Sequence, residues 1–139
     1  MSKERDRLYI DKDDRKLYDN IQKEEFFKGK TRKEQFILAI AFGFFNNVSK
    51  SLNNKESGGF FLIKDLKLED EAIIKSVALY KNEDLEILTK PEEYYQIAEE
   101  YAHAGIKLIN DKINSISFAN FKKQFEKDIH EYYQKIKEE

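Results

Sequence analysis

Histidine and glutamate are the residues whose spacing in this sequence comes closest to a chemical site. The chain has two histidines, His103 and His130, and each lies four residues after a glutamate, Glu99 or Glu126. Residues four apart share one face of a helix, so two such pairs meeting across helices would offer ligands to a metal ion. The same spacing is typical of an ordinary surface contact worth about 0.2–0.5 kcal/mol. We predict the surface contact and no metal site.

A catalytic centre requires acid, base or nucleophilic groups that converge in one pocket. The nearest approach to such a set is Glu99 and Glu100 beside Tyr101 and His103, a spacing typical of helix surface. The chain contains no cysteine, which excludes disulfides, thiol nucleophiles and cysteine-rich zinc sites. We therefore predict that the protein is not an enzyme and uses no cofactor.

Two short segments resemble ligand-binding motifs but lack residues that those motifs require. Gly29-Lys30-Thr31 resembles the end of a nucleotide-binding P-loop, but Glu24 stands where the first glycine of that motif belongs. The aspartates at 11, 13 and 14 resemble the start of a calcium loop, but Arg15 follows and no glycine or glutamate comes in register. Neither nucleotide nor calcium binding is predicted.

Residues 5–10 alternate between polar and apolar side chains, as in a strand with one buried face. Leu8 and Ile10 fall on one face, and Arg5, Arg7 and Tyr9 fall on the other. Because Leu8 and Ile10 are apolar, we expect their face to be the buried one.

Two helices follow this strand. Asp11 is a typical N-cap for a helix to about residue 25, and Gly29 lies in the connector. Thr31 and Glu34 have the spacing of a capping box, which starts a second helix over 34–47. That helix is apolar almost all round, which predicts either the central helix of the domain or part of a dimer core.

The strand, helix, turn and helix over residues 5–47 resemble the ribbon-helix-helix family of DNA-binding proteins. The resemblance implies a homodimer whose paired strands enter the major groove, with the second helix gripping a phosphate through its N-terminus. The DNA-binding residues it implies are Arg5, Arg7, Tyr9, Lys28, Lys30, Thr31, Arg32 and Lys33. Aspartates at 6, 11, 13 and 14 oppose this interpretation, and the alternative is an edge strand followed by a capped core helix.

Charge divides the chain unevenly. Residues 1–33 hold eleven Lys and Arg against eight Asp and Glu, whereas residues 65–100 hold four against eleven. The second region suits a basic partner, so the alternative function is a protein-interaction adaptor that docks through residues 65–100 without touching DNA. Ordinary solvated helix faces would give the same pattern.

The rest of the chain favours helices, because it has only five glycines and one proline. After a loop over 46–59 we predict a helix over 69–81, a long helix from a Thr89–Glu92 capping box to about 113, and a last helix from Ser117 to about 137. The helix over 69–81 is expected to bury Ile73, Ile74, Val77, Ala78 and Tyr80. Gly105 lies within the long helix beside two alanines and predicts close packing of another helix or a dimer mate.

The predicted fold class is therefore mainly α: one domain over 1–139 with about five helices and a short N-terminal β-strand. Within it, 5–47 form the ribbon-helix-helix-like segment and 60–139 the helical remainder. The N-terminus is too polar for a signal peptide, and no apolar run approaches the roughly 20 residues of a membrane span. We expect a cytoplasmic protein.

The chain also resembles a second family, the small proteins associated with DNA phosphorothioation (sulfur-modification) systems. The similarity lies in residues 7–13, 35–44, 72–88 (AIIKSVALYKNEDLEIL) and 97–109 (IAEEYAHAGIKLI). It implies an accessory role in phage-defence modification or restriction, with other proteins of that system as partners, and it carries no established activity.

Overall fold

The structure is a computed structural model that describes residues 5–115 and 118–138, with side chains for 5–114 and 123–137. The described part contains two short strands and five α-helices: β1 (Arg7–Leu8), α1 (Arg15–Gln22), α2 (Arg32–Phe45), β2 (Phe61–Leu62), α3 (Leu68–Asn82), α4 (Pro91–Ser115) and α5 (Phe118–Glu138). Short 3-10 helices at Lys12–Asp14, Glu25–Phe27, Ile63–Asp65 and Leu85–Thr89 connect them. The mainly α prediction is confirmed.

A two-stranded antiparallel sheet holds the N-terminal segment. Arg7 lies opposite Leu62, and Leu8 lies opposite Phe61. The partner of β1 is thus a strand of the same chain, not the strand of a second chain that the ribbon-helix-helix resemblance implied. The predicted buried face is confirmed, because Leu8 and Ile10 are 0% and 3% exposed.

Helices α2 and α4 cross at the centre of the fold with their backbones in contact. A Cβ added at Gly105 would lie 1.7 Å from the carbonyl oxygen of Ala39, and one at Gly43 would lie 2.2 Å from that of Tyr101. No side chain fits between the helices at these points, so only glycine permits the crossing. The close packing predicted at Gly105 is confirmed, and its partner is α2 of the same chain.

Aromatic rings fasten α5 to this pair. Phe125 is fully buried, and its ring centroid lies 4.6 Å from that of Phe26, 5.4 Å from Phe27 and 5.6 Å from Phe42. Ring pairs at such distances add about 0.5–1.5 kcal/mol each beyond the burial of their area. The 3-10 helix that carries Phe26 and Phe27 therefore joins the core.

The start of α2 follows the sequence prediction closely. The Glu34 amide donates to the Thr31 hydroxyl at 3.1 Å, and the Thr31 amide donates to the Glu34 carboxylate at 3.0 Å. These two bonds form the predicted capping box and satisfy two amides that the helix itself leaves unpaired.

Other boundaries differ from the predictions. The helix expected from Asp11 begins instead as a 3-10 helix, although Asp11 caps it by accepting from the Asp13 amide. Thr89 ends a 3-10 helix and donates its hydroxyl to the Glu86 carbonyl, so α4 starts at Pro91 without the predicted Thr89 cap. The predicted cap at Ser117 lies outside the described residues.

Candidate functional site

Arg5, which the sequence placed on the outward face of the strand, is directed inward. Its guanidinium donates to Glu92 at 2.8 Å and to Glu99 at 2.6 Å, and its side chain is only 6% exposed. Burial alone would lower the pKa of Arg5, but the hydrogen bonds to both carboxylates raise it above its ordinary value. Arg5 therefore joins the N-terminal segment to α4.

Arg7 and Tyr9, the other two residues predicted on the outward face of the strand, have different contacts. The Arg7 guanidinium bonds Asp6 at 2.9 Å and the Gly58 carbonyl at 3.0 Å, and its side chain is 34% exposed. The ring of Tyr9 lies under Arg5, 5.5 Å from the guanidinium carbon. Of the three strand residues proposed to read bases, Arg7 is the one with an accessible cation.

The five residues predicted around the N-terminus of α2 do lie together, but most of their charge is compensated within the chain. Lys33 pairs with Asp70 at 2.8 Å, Arg32 pairs with Asp19, and Lys28 lies 3.5 Å from Glu25. The side chains of Lys30, Thr31, Arg32 and Lys33 line an open cleft of about 830 Å³ whose other residues include Asp65, Glu69 and Asp70.

Two details further reduce the capacity of this helix end for phosphate. The Thr31 amide already donates to the Glu34 carboxylate in the capping box, so it is not available to a phosphate. Lys30 has no carboxylate partner among the described residues, yet its ammonium lies 5.5 Å from the ring centroid of Phe26. The resulting end of α2 carries mixed charge rather than the positive potential that attracts an anion.

Glu99 is the most heavily bonded carboxylate on α4. Its side chain is 0% exposed, and it accepts from Arg5 and from the Tyr9 amide at 2.6 Å each. Lys55, from the loop over 46–59, lies 3.7 Å away. A buried carboxylate requires such partners because it has lost its hydration.

His103 is also buried and pairs with a distant residue. Its Nδ1 lies 2.5 Å from the Asp14 carboxylate, and the two side chains are 4% and 1% exposed. Burial raises the pKa of Asp14 above its ordinary value, although His103 opposes the shift. The predicted surface contact between Glu99 and His103 is therefore wrong, since both side chains are buried and bonded elsewhere.

The contact between Asp14 and His103 is shielded from solvent. Within the described part of the chain, the second oxygen of Asp14 and the hydroxyl of Tyr18 have no hydrogen-bond partner, and both are buried. Among the described residues, no group of three or more His, Asp or Glu side chains is arranged to hold a metal ion. His130 is exposed on α5.

The surface feature that sequence patterns did not reveal is an apolar groove of about 410 Å³. We call it the α2–α3–α5 groove after the helices that line it: Ile37, Ile40, Ala41, Phe44 and Phe45 from α2, Ala72, Ile73, Ser76, Val77 and Tyr80 from α3, and Ile136 from α5. Ile73, Tyr80 and Ile136 are 39%, 67% and 58% exposed. The predicted burial on α3 is therefore wrong for Ile73 and Tyr80, whereas it is confirmed for Ile74, Val77 and Ala78.

Comparison with known proteins places the chain in a family. Residues 7–131 match the family model described as DNA sulphur modification system-associated protein 4. The chain belongs to this family. No curated protein and no solved structure matched it. Membership confirms the resemblance to DNA sulfur-modification proteins and associates the chain with such a system.

None of the helices in the described part of this family member combines the length and apolar composition that a membrane crossing needs. The ribbon-helix-helix arrangement and the homodimer stay predictions.

Proposed function

We propose that this protein is a non-enzymatic accessory component of a DNA sulphur modification system and acts in the cytoplasm as a protein-interaction adaptor. Its acidic region 65–100 docks on a basic surface of another protein of that system. The family match supports the setting. The distribution of unpaired charge supports the adaptor role.

A charged side chain that is already paired within the chain is less available to another molecule. The cations proposed to contact DNA are largely engaged: Arg5 with Glu92 and Glu99, and Lys33 with Asp70. Each engaged cation has less charge to offer a phosphate, and phosphate contacts supply most of the affinity of DNA-binding proteins.

Part of the acidic region remains unpaired, although five of its eleven carboxylates form ion pairs with Arg5 or with lysines. Asp65, Glu69, Glu83 and Glu86 are exposed, and within the described residues their carboxylates form no ion pair. Exposed carboxylates without partners attract a positively charged protein surface and repel DNA. This is the observation that carries the adaptor proposal.

The test is co-purification with the other proteins encoded by the same modification system, each expressed with this chain. We expect the wild type to recover one of them, and the double variant Glu83→Lys/Glu86→Lys to lose at least roughly tenfold in recovery, because like charges then face each other. Failure of the wild type to bind any of them would overturn the adaptor role.

A matched control separates local from overall charge. Glu126→Lys/Glu131→Lys changes two exposed glutamates of α5, so the net charge shifts by the same amount. This variant should bind as the wild type does. Equal loss in both variants would show that overall charge, not the acidic region, governs the complex.

The same preparation tests direct DNA contact. Fluorescence anisotropy with duplex DNA, with and without phosphorothioate, should show no micromolar binding at low salt. Binding that weakens steeply with salt and is lost in Arg7→Ala or Lys30→Ala would instead support the DNA-binding residues predicted from sequence.

A further inference from the structure

We infer that the α2–α3–α5 groove receives an amphipathic helix of the partner protein, with an apolar face and basic residues near both of its ends. This inference rests on the proposed adaptor function and names the partner's binding element. Three properties of the groove carry it: its apolar lining, its helical walls and the charge at its ends.

The lining of the groove is almost entirely apolar. Its lining includes Ile40 and Phe44 of α2, Ile73 and Tyr80 of α3, and Ile136 of α5. Surface of this kind is unfavourable in water, at about 25 cal/mol per Å² left uncovered. A contiguous apolar groove on a protein surface therefore indicates an interaction site.

Its lining argues against a small polar ligand. Small-molecule sites combine an apolar wall with a few polar groups that fix the orientation of the ligand. Among the residues that line the groove, only Ser76 and Tyr80 carry a side-chain polar atom. The groove offers contact area and very little directional bonding.

Its walls select a helix rather than an extended segment. Strand addition requires an open sheet edge with free backbone amides and carbonyls. All eleven lining residues lie on α2, α3 and α5, where backbone groups are bonded within each helix. Recognition here must therefore use side chains, as when a helix places residues i, i+3, i+4 and i+7 into an apolar groove.

Carboxylates stand at both ends of the α3 wall. Glu69 precedes Ala72 and Ile73 by one helical turn, and it also lines the neighbouring cleft. Beyond Tyr80, Glu83 ends the helix in a left-handed conformation, and Glu86 follows shortly after it. These exposed carboxylates favour lysine or arginine flanking the apolar face of the incoming helix.

The same charges disfavour a second copy of this chain as the occupant. An antiparallel pairing of two α3 helices centred on Ser76 would bring Glu69 of one copy close to Glu83 of the other. A parallel pairing would bring each glutamate close to its own counterpart. Like charges in register destabilise such an interface.

The test uses two designed peptides of about 18 residues, each with leucines at helical spacing, one with lysines and one with glutamates near both ends. Fluorescence anisotropy measures their binding to the full chain. We expect the lysine peptide to bind at least roughly tenfold more tightly than the glutamate peptide, because the carboxylates at both ends of α3 attract the first and repel the second.

Ser76→Arg should weaken binding of the lysine peptide by roughly tenfold or more, because it places a bulky cation inside the apolar groove. Gln96→Arg is its matched control, since it adds the same charge at an exposed position of α4 that does not line the groove. Tyr80→Ala offers a second disruption, with the similarly exposed Tyr133→Ala as its control.

Each contrary result has a distinct meaning. No binding of either peptide, or equal loss in Gln96→Arg, overturns the groove as a helix site. Equal binding of both peptides overturns the basic character of the partner helix. A wild type that dimerises in sedimentation velocity while Ser76→Arg stays monomeric makes the occupant a second copy.

Co-purification separates this inference from the proposed function. If Ser76→Arg still recovers the system protein that the wild type recovers, the adaptor role stands and the groove is not its site. If the wild type recovers none, the adaptor role fails, and the peptide titration still reports on the groove by itself.

Discussion

The contact between the N-terminal segment and α4 and the α2–α3–α5 groove distribute charged and apolar side chains in opposite ways. Where the N-terminal segment meets α4, the side chains of Arg5, Glu99 and Asp14 are 6% exposed or less. At the α2–α3–α5 groove, Ile73 and Tyr80 are large apolar side chains left exposed. Charges inside and hydrophobic residues outside reverse the usual distribution.

The difference shows that each side answers a different requirement. The buried charges pair with each other within the chain and hold the N-terminal segment against α4. They are therefore not available to another molecule. The exposed apolar groove has no covering element among the described residues, so its favourable contacts remain available to another molecule. Three substitutions test this contrast.

Glu99→Ala should have the largest effect. It leaves Arg5 and the Tyr9 amide without the carboxylate that satisfies both, so we expect a loss of about 3–5 kcal/mol in the free energy of unfolding. Urea denaturation followed by circular dichroism measures it. Glu100→Ala is the control, because that side chain bonds only Gln96 in the described part and should change stability by about 0.5 kcal/mol or less. Equal losses would mean that Glu99 has no special structural role.

Asp11→Asn should have an intermediate effect. Its carboxylate accepts from the amides of Asp13, Asn53 and Asn54 at 2.9–3.1 Å and is almost fully buried. Removing the charge from these bonds should cost about 1–3 kcal/mol at neutral pH.

The pH dependence of stability in the wild type and in Asp11→Asn tests the role of this carboxylate more directly. Burial opposes ionisation of Asp11, but the three amide bonds outweigh it and lower its pKa. Its stabilisation is therefore present above the unfolded pKa of about 3.9 and disappears as the pH falls through the lower folded value. The wild type should lose stability more steeply than Asp11→Asn as the pH falls from about 5 to about 2. Parallel curves would contradict the assigned shift.

Ile136→Ser should have the smallest effect on folding. The side chain is 58% exposed, so its loss should change the free energy of unfolding by about 0.5 kcal/mol or less. Binding of the lysine peptide should nevertheless weaken, because the groove loses an apolar side chain that lines it. A large loss of stability would show that Ile136 belongs to the core and would weaken the contrast between the two sides.

Local patterns predicted much of the fold. The capping box of Thr31 and Glu34 needs only neighbouring residues, and it begins α2 where expected. The long helix and the close packing at Gly105 were also predicted from local patterns, but the Thr89 capping box expected to open that helix is absent. A glycine within a helix indicates that another backbone packs closely there, but it does not show which one.

Pairings between distant residues were not predictable. Arg5 and Glu99 are far apart in sequence, as are Asp14 and His103, so no local spacing indicates either pair. The same limit applies to Ile73, because an apolar residue on a helix looks identical whether a neighbour covers it or not. The groove exists because no described element covers this face of α3.

The crossing at Gly43 and Gly105 has a consequence for how the chain reaches this structure. Its backbone contacts join positions separated by roughly 60 residues, so a long loop must close before either helix gains from the other. The central contact of the fold should therefore form late in folding, after α2 and α4 have each acquired their helical shape.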